Sequence, residues 1–225
     1  MDTARLHALL NNYSEQFTLF KELLKEHNKM YNLTSICDDD GIYFKHFLDS
    51  VAGEEYFEKG ASVAEIGSGG GFPSVPLKIV RSDLRFTLVE STGKKCNYLN
   101  TVVDKLGLSG VKVLNIRAED GAKDRALREK FDICCARAVA RLNTLSEYCM
   151  PYVKVGGRFI AYKGDCDDEI EEAANAFKVL GGELEKVVRY ELENCGRRTL
   201  VIVKKVCATH QSFPRGQGKE RKQPL

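Results

Sequence analysis

AEIGSGGGFPSVPL (64–77) begins inside the short apolar run SVAEI (62–66) and places four glycines, Gly67, Gly69, Gly70 and Gly71, within five positions. A strand that ends in a glycine turn and passes into a helix is the opening unit of an open α/β sheet, where ligands bind beyond the carboxyl ends of the strands. So many glycines cost backbone entropy, and close approach of the chain to a ligand explains that cost. The spacing narrows the ligand. A dinucleotide fingerprint G-x-G-x-x-G begun at Gly67 needs a third glycine at 72, where this chain has Phe72, and no G-K-[ST] closes the loop as a P-loop requires. What remains is E-x-G-x-G-x-G, Glu65 through Gly71, with Glu90 at the end of the next strand in TLVES, where a carboxylate can accept both hydroxyls of a ribose.

Outward from this loop, β-branched runs alternate with helical patterns. Strands are expected at 62–66, 85–90, 111–116, 131–136 and 158–163, with helices near 74–82, 92–106, 142–153 and 166–180. That alternation implies βαβ units and a parallel sheet covered on both faces. Two further runs, near 183–192 and 198–206, leave no room for a helix between them and are expected to form an antiparallel pair at one edge. Before the loop, Leu6, Leu9, Leu10 and Tyr13, then Phe17, Phe20, Leu23, Leu24 and His27, recur at helical spacing. The expected organisation is a helical extension over 1–60, an α/β domain over 61–206 and a basic C-terminal arm over 207–225.

At 225 residues the chain can bury one substantial core. Its apolar and charged fractions, 43% and 29%, are those of a globular protein, and no apolar run approaches the ~20 residues of a membrane helix. The N-terminus lacks the apolar core and cleavage site of a signal peptide, so a cytoplasmic location is expected. Eight cysteines contain no C-x2-C or C-x4-C pair, so reduced thiols are expected and no metal site. The net charge of +2 hides an asymmetry. Lys204 to Leu225 carries six Lys/Arg and one acid, a local +5 that leaves −3 for the rest. Such a tail is either a solvated end or an arm that neutralises nucleic-acid phosphates.

The glycine loop together with Glu90 resembles the class I S-adenosylmethionine-dependent methyltransferases, which have a Rossmann-like fold. Among their chemistries, a cytosine C5 transfer needs a nucleophilic cysteine, usually beside proline, and neither Cys149 nor Cys166 has one adjacent. An exocyclic amine usually calls for an N-P-P-Y type turn after the fourth strand, where this chain reads ARAVAR. Guanine N7 needs no proton removed before transfer, so geometry and charge suffice. Arg117, Arg137 and Lys163 end the third, fourth and fifth strands and are expected to converge on one rim with Lys94. Lys94, Arg117 and Lys163 are the candidate catalytic residues, in positioning and electrostatic roles.

YNLTS (31–35), KHFLDS (45–50), EIGSGGGFPSVPL (65–77), ESTGKK (90–95), IRAED (116–120), ARAVA (136–140), YKG (162–164) and SFPRGQGKERKQPL (212–225) closely resemble, in order, the bacterial 16S ribosomal RNA methyltransferase G family, also called glucose-inhibited division protein B. The resemblance implies methyl transfer from S-adenosylmethionine, leaving S-adenosylhomocysteine, to N7 of a single guanine of 16S rRNA, guanine 527 in the usual bacterial numbering. The partner it implies is the small ribosomal subunit or an assembly intermediate. It places cofactor contacts on Gly67, Phe72, Ala118, Glu119 and Arg137, beside Gly69 and Glu90 from the loop reading. Two departures stand out: the family often has Asp at Glu65 and Gly at Ser74. His46, Asp49 and Ser50 match its H-x-x-D-S element and read as a network tying the N-terminal helices to the cofactor domain. Methylation of another RNA atom or a small molecule, or a non-catalytic RNA-binding module, are the alternative functions.

Overall fold

The computed structural model describes residues 2–225. One seven-stranded sheet organises the chain: β1 (Ser62–Ile66), β2 (Arg85–Glu90), β3 (Val111–Asn115), β4 (Phe131–Arg137), β5 (Val153–Lys163), β6 (Gly182–Leu192) and β7 (Gly196–Lys205). Their spatial order is β3-β2-β1-β4-β5-β7-β6. The first five strands are parallel; β7 lies antiparallel between β5 and β6. This is the expected mostly parallel sheet with an antiparallel edge pair. β7 fills the inner place because Leu200, Val201, Ile202 and Val203 are buried on both faces, whereas β6 exposes Glu183, Glu185, Lys186 and Arg189 as an outer edge should.

Alternation along each strand divides the core in two. Val63, Ile133, Cys135, Ile160, Tyr162, Leu200 and Ile202 face one side. Ala64, Ile66, Cys134, Ala136, Phe159, Ala161, Val201 and Val203 face the other. The first side is covered by the N-terminal helices with α5 (Ser74–Val80) and α6 (Gly93–Lys105). Those N-terminal helices are α1 (Thr3–Asn11), α2 (Ser14–Tyr31) and one continuous helical stretch. The stretch comprises α3 (Asp39–Gly41), a π-helical segment (Ile42–Leu48) and α4 (Asp49–Val51). Phe17 and Phe20 of α2 pack on Phe47, and Phe20 reaches Phe72 of the glycine loop. After α7 (Ala118–Gly121), the second side is covered by α8 (Leu142–Cys149), α9 (Asp167–Glu172) and α10 (Ala174–Val179).

The basic tail, read from sequence as a solvated end or a phosphate-binding arm, is docked. Phe213 and Leu225 pack on the second core. Arg128 donates to the carbonyls of Thr209, His210 and Phe213 at 2.8, 3.1 and 2.8 Å. Arg215 grips the fully buried Glu147, with Nη2 2.7 Å from Oε2. Lys205 is also buried, donating to Met150 O at 2.8 Å, and its burial lowers the ammonium pKa. Two of the six tail cations thus serve the fold. Lys219, Arg221 and Lys222 of α11 (Lys219–Lys222) face outward. Among the described residues, no helix is long and apolar enough to cross a membrane, and no group of His, Cys, Asp or Glu is arranged to hold a metal ion.

Candidate active site

A cleft of about 610 Å³ opens beyond the carboxyl ends of β1, β4 and β5. Its floor is the glycine loop. Gly67 and Gly69 take φ of +70° and +50°, the left-handed region that glycine enters without cost. A Cβ on Gly67 would lie 2.7 Å from Val139 Cγ2, so the loop and the chain after β4 touch at bare backbone. A Cβ on Gly69 would meet nothing nearer than Gly67 O at 3.7 Å, so this backbone is uncovered. Glu90 holds the loop from behind: Oε2 accepts from Gly69 N at 3.0 Å and Oε1 from Thr92 N at 2.8 Å.

The two departures at Glu65 and Ser74 bond each other. Glu65 is fully buried at the end of β1; Oε1 accepts from Ser74 N at 3.2 Å and Oε2 from Ser74 Oγ at 2.5 Å. The residue before α5 is Pro73, which offers no capping side chain, so Glu65 takes over an orphan N–H of the first turn and places negative charge at the helix start. Burial raises the Glu65 carboxyl pKa to about 7, against the pull of the Ser74 bonds.

Arg137 occupies the opposite wall. It lies two residues beyond Cys135, so strand alternation aims it at the side covered by the N-terminal helices. There Nη1 donates to Lys45 O at 2.9 Å and Asp49 Oδ2 at 3.1 Å, and Nη2 lies 2.9 Å from His46 Nδ1. Asp49 also accepts from Tyr190 OH at 3.1 Å and lies 3.5 Å from Arg198 Nε. Ser50 Oγ donates to His46 O, and Tyr162 OH donates to Ser50 O. This network joins the π-helical segment and α4 to β4, β5, β6 and β7. Burial, then the Arg137 charge, lowers the His46 pKa to about 3.

The four candidate cations do not share one rim. Arg137 and Lys163 line the cleft; Lys163 is drawn to Glu169 at 2.6 Å and donates to Ala140 O at 3.0 Å. Lys94 is exposed and its neighbour Lys95 lines the cleft instead. Arg117 has an extended backbone (ψ 147°) as the residue before α7, and its side chain, 70% exposed, turns outward. It lines a separate cavity of about 500 Å³ with Glu119, Lys123 and Arg215. Ala118 packs at the rim of the second core and its carbonyl accepts from Tyr152 OH at 2.8 Å. Lys45, Lys95 and Arg198 complete the cleft lining without having been singled out. A signal for Arg198 existed: it precedes Leu200 by two, the parity that aims Arg137 at the same face.

S-adenosylmethionine fits these residues. The uncovered backbone at Gly69 suits the methionine portion, Phe72 offers an apolar wall, and Glu90 keeps acceptor lone pairs beyond its two backbone bonds for a ribose diol. The family model described as rRNA small subunit methyltransferase G matches residues 13–201. A "Ribosomal RNA small subunit methyltransferase G" of Clostridium perfringens is 46% identical over 215 residues, covering 94% of this chain and 90% of its own length. One from Lactobacillus delbrueckii subsp. bulgaricus is 47% identical over 218 residues, covering 94% and 91%. A SAM-dependent methyltransferase from Aquifex aeolicus shares the fold, with a TM-score of 0.57 at 19% identity over 81% of this chain and 98% of that one. With nearly the whole length matched at this identity, and the glycine loop, braced by Glu90, facing Arg137 across one cleft, the chain belongs to the rRNA small subunit methyltransferase G family.

Proposed function

We propose that this chain transfers a methyl group to N7 of one guanine in 16S rRNA. S-adenosylmethionine, the methyl donor, supplies a methyl group activated on a sulfonium. Gly67 and Gly69 pass its methionine portion and Glu90 takes the ribose hydroxyls, whereas Ala118 and Glu119, which the resemblance gives to the adenine edge, lie outside the lining of this cleft, Glu119 in the separate cavity beside Arg117. The observation that carries the choice of acceptor atom is the engagement of the histidine and both carboxylates that line the cleft. His46 uses both ring nitrogens, Asp49 is shared between two arginines and a tyrosine, and Glu169 holds Lys163. No cysteine lines the cleft among the described residues. Such a site has no idle base to take a proton and no thiol to attack a ring carbon. The lone pair of guanine N7 needs neither.

The electrostatics favour a polyanion. Lys45, Lys95, Arg137, Lys163 and Arg198 line the cleft against Asp49 and Glu169, an excess of positive charge at the mouth. Of the five N–H groups of Arg137, three have partners within the chain, which leaves two for an acceptor such as O6 beside N7. The test is transfer of labelled methyl from S-adenosylmethionine to small-subunit particles lacking the modification, followed by digestion to nucleosides. Label in 7-methylguanosine alone is expected, at a single position when the labelled RNA is instead mapped as fragments. Label in any other nucleoside overturns the reading.

A further inference from the structure

Arg137 belongs to the α/β sheet, but the groups that orient it come from the N-terminal helices. The His46 ring stacks on Phe72 with centroids 4.3 Å apart and planes 19° from parallel, and Arg137 Cζ lies 5.0 Å from the centroid of the same Phe72 ring. A guanidinium only donates hydrogen bonds, so at 2.9 Å from Arg137 Nη2 the Nδ1 of His46 must be the acceptor. The ring proton is therefore on Nε2, which lies 2.7 Å from Thr34 Oγ1 and donates to it. Thr34 Oγ1 also accepts from Ile36 N at 3.1 Å. The loop carrying Thr34 is pinned in turn by Asn28, whose Oδ1 accepts from Thr34 N and whose Nδ2 donates to Thr34 O, both at 2.9 Å. A chain of directed bonds thus runs from the end of α2 through Thr34 and His46 to the guanidinium. Three of its members, Thr34, His46 and Arg137, line the cleft together with Phe72.

We propose that His46 and Thr34 are positioning residues for methyl transfer: Thr34, by accepting the Nε2 proton, holds the His46 ring in place, and His46, as a neutral acceptor clamped on Phe72, fixes the guanidinium of Arg137 at the reacting end of the cleft. The proposal rests on the reading that Arg137 meets the cofactor or the target guanine. Neither residue exchanges a proton with substrate. Stacking and acceptance are separable: His46→Phe keeps an aromatic ring on Phe72 but offers Arg137 no acceptor, whereas His46→Gln offers an amide oxygen but no ring. Thr34→Val keeps the shape of the threonine and removes the oxygen that accepts the Nε2 proton and holds the ring.

The experiment measures kcat and KM for methyl transfer to small-subunit particles, cofactor affinity by calorimetry and the melting temperature for each variant. His46→Phe is expected to lose at least 10-fold in kcat, with KM for the particle and cofactor affinity changed by less than 3-fold. His46→Gln is expected to recover most of that kcat, and Thr34→Val to fall between. Equal losses in the Phe and Gln variants, or losses that follow melting temperature alone, overturn the positioning role. If His46→Phe does not fold, the Gln and Val variants decide: an unchanged kcat in Thr34→Val overturns the role of Thr34 in holding the ring. Long-range 15N spectra of the unaltered protein test the bond network without any acceptor RNA. They are expected to show Nε2 protonated and Nδ1 bare, with Nδ1 shifting in Arg137→Lys, and a protonated Nδ1 overturns it. Absence of methyl transfer by the unaltered protein would instead count against the proposed reaction.

Discussion

Replacing Ser74 with alanine takes the hydroxyl donor from a carboxyl group with no access to water. Glu65 is fully buried and receives Ser74 Oγ at 2.5 Å and Ser74 N at 3.2 Å. Its folded pKa, about 7, lies above the ordinary 4.5 because burial disfavours the charge. A raised carboxyl means that the fold prefers the protonated form. The stability it contributes is fully present below about pH 4.5 and is lost as pH rises through about 7, by roughly 3 kcal/mol at ~1.4 kcal/mol per pH unit. Ser74→Ala pushes the folded value higher and steepens that loss. At pH 8.5 the missing bond is one to a carboxylate, worth ~1.5–3 kcal/mol. At pH 5.5 it is one between neutral groups, worth ~0.5–1.5 kcal/mol. In a chain of this size the alkaline penalty corresponds to a melting temperature lower by roughly 3–12 °C. Urea unfolding followed by circular dichroism at the two pH values is the assay. A destabilisation that is the same at pH 5.5 and 8.5 would refute the assignment of Glu65 as a buried, hydroxyl-supported carboxylate.

Two further outcomes follow from the site and the tail. Glu90→Gln sets an amide NH2 against the Gly69 or Thr92 N–H and weakens the ribose acceptor, so calorimetry is expected to show cofactor affinity lower by ~10–100-fold, equivalent to ~1.4–3 kcal/mol; an unchanged affinity removes Glu90 from the cofactor site. The triple change Lys219→Gln, Arg221→Gln, Lys222→Gln leaves the docking contacts of Arg215 and Glu220 intact, which deletion after Lys205 would not. It is expected to flatten the slope of log affinity for single-stranded rRNA against log salt by about 2, at ~0.7 per phosphate contact, and an unchanged slope rules out phosphate contacts by these three.

Periodicity and turn chemistry are local properties, and what they govern was legible. The glycine loop, the alternation of strands and helices and the antiparallel pair at one edge follow from short-range pattern. The side on which each cation emerges was less legible. Arg117 and Lys94 share with Arg137 and Lys163 a place near a strand end or helix start, yet the extended backbone before α7 turns Arg117 away and Lys95 supplants Lys94. The tail's composition suggested a loose arm because its burial depends on distant partners, Glu147 and Arg128. The coupling of Glu65 to Ser74 was written in the sequence as two separate departures from the family pattern; only the turn of the chain makes them one.

The partners of Asp49 set an order of events during synthesis. It binds Arg137, 88 positions later, and Tyr190, 141 positions later, with Arg198 of β7 beyond both. The N-terminal helices leave the ribosome first, but the wall they complete cannot close until β7 has emerged and taken its place between β5 and β6. Contacts this remote in sequence carry a large loop-closure entropy and form late. The wall of the cleft is therefore completed only after β7 has been made.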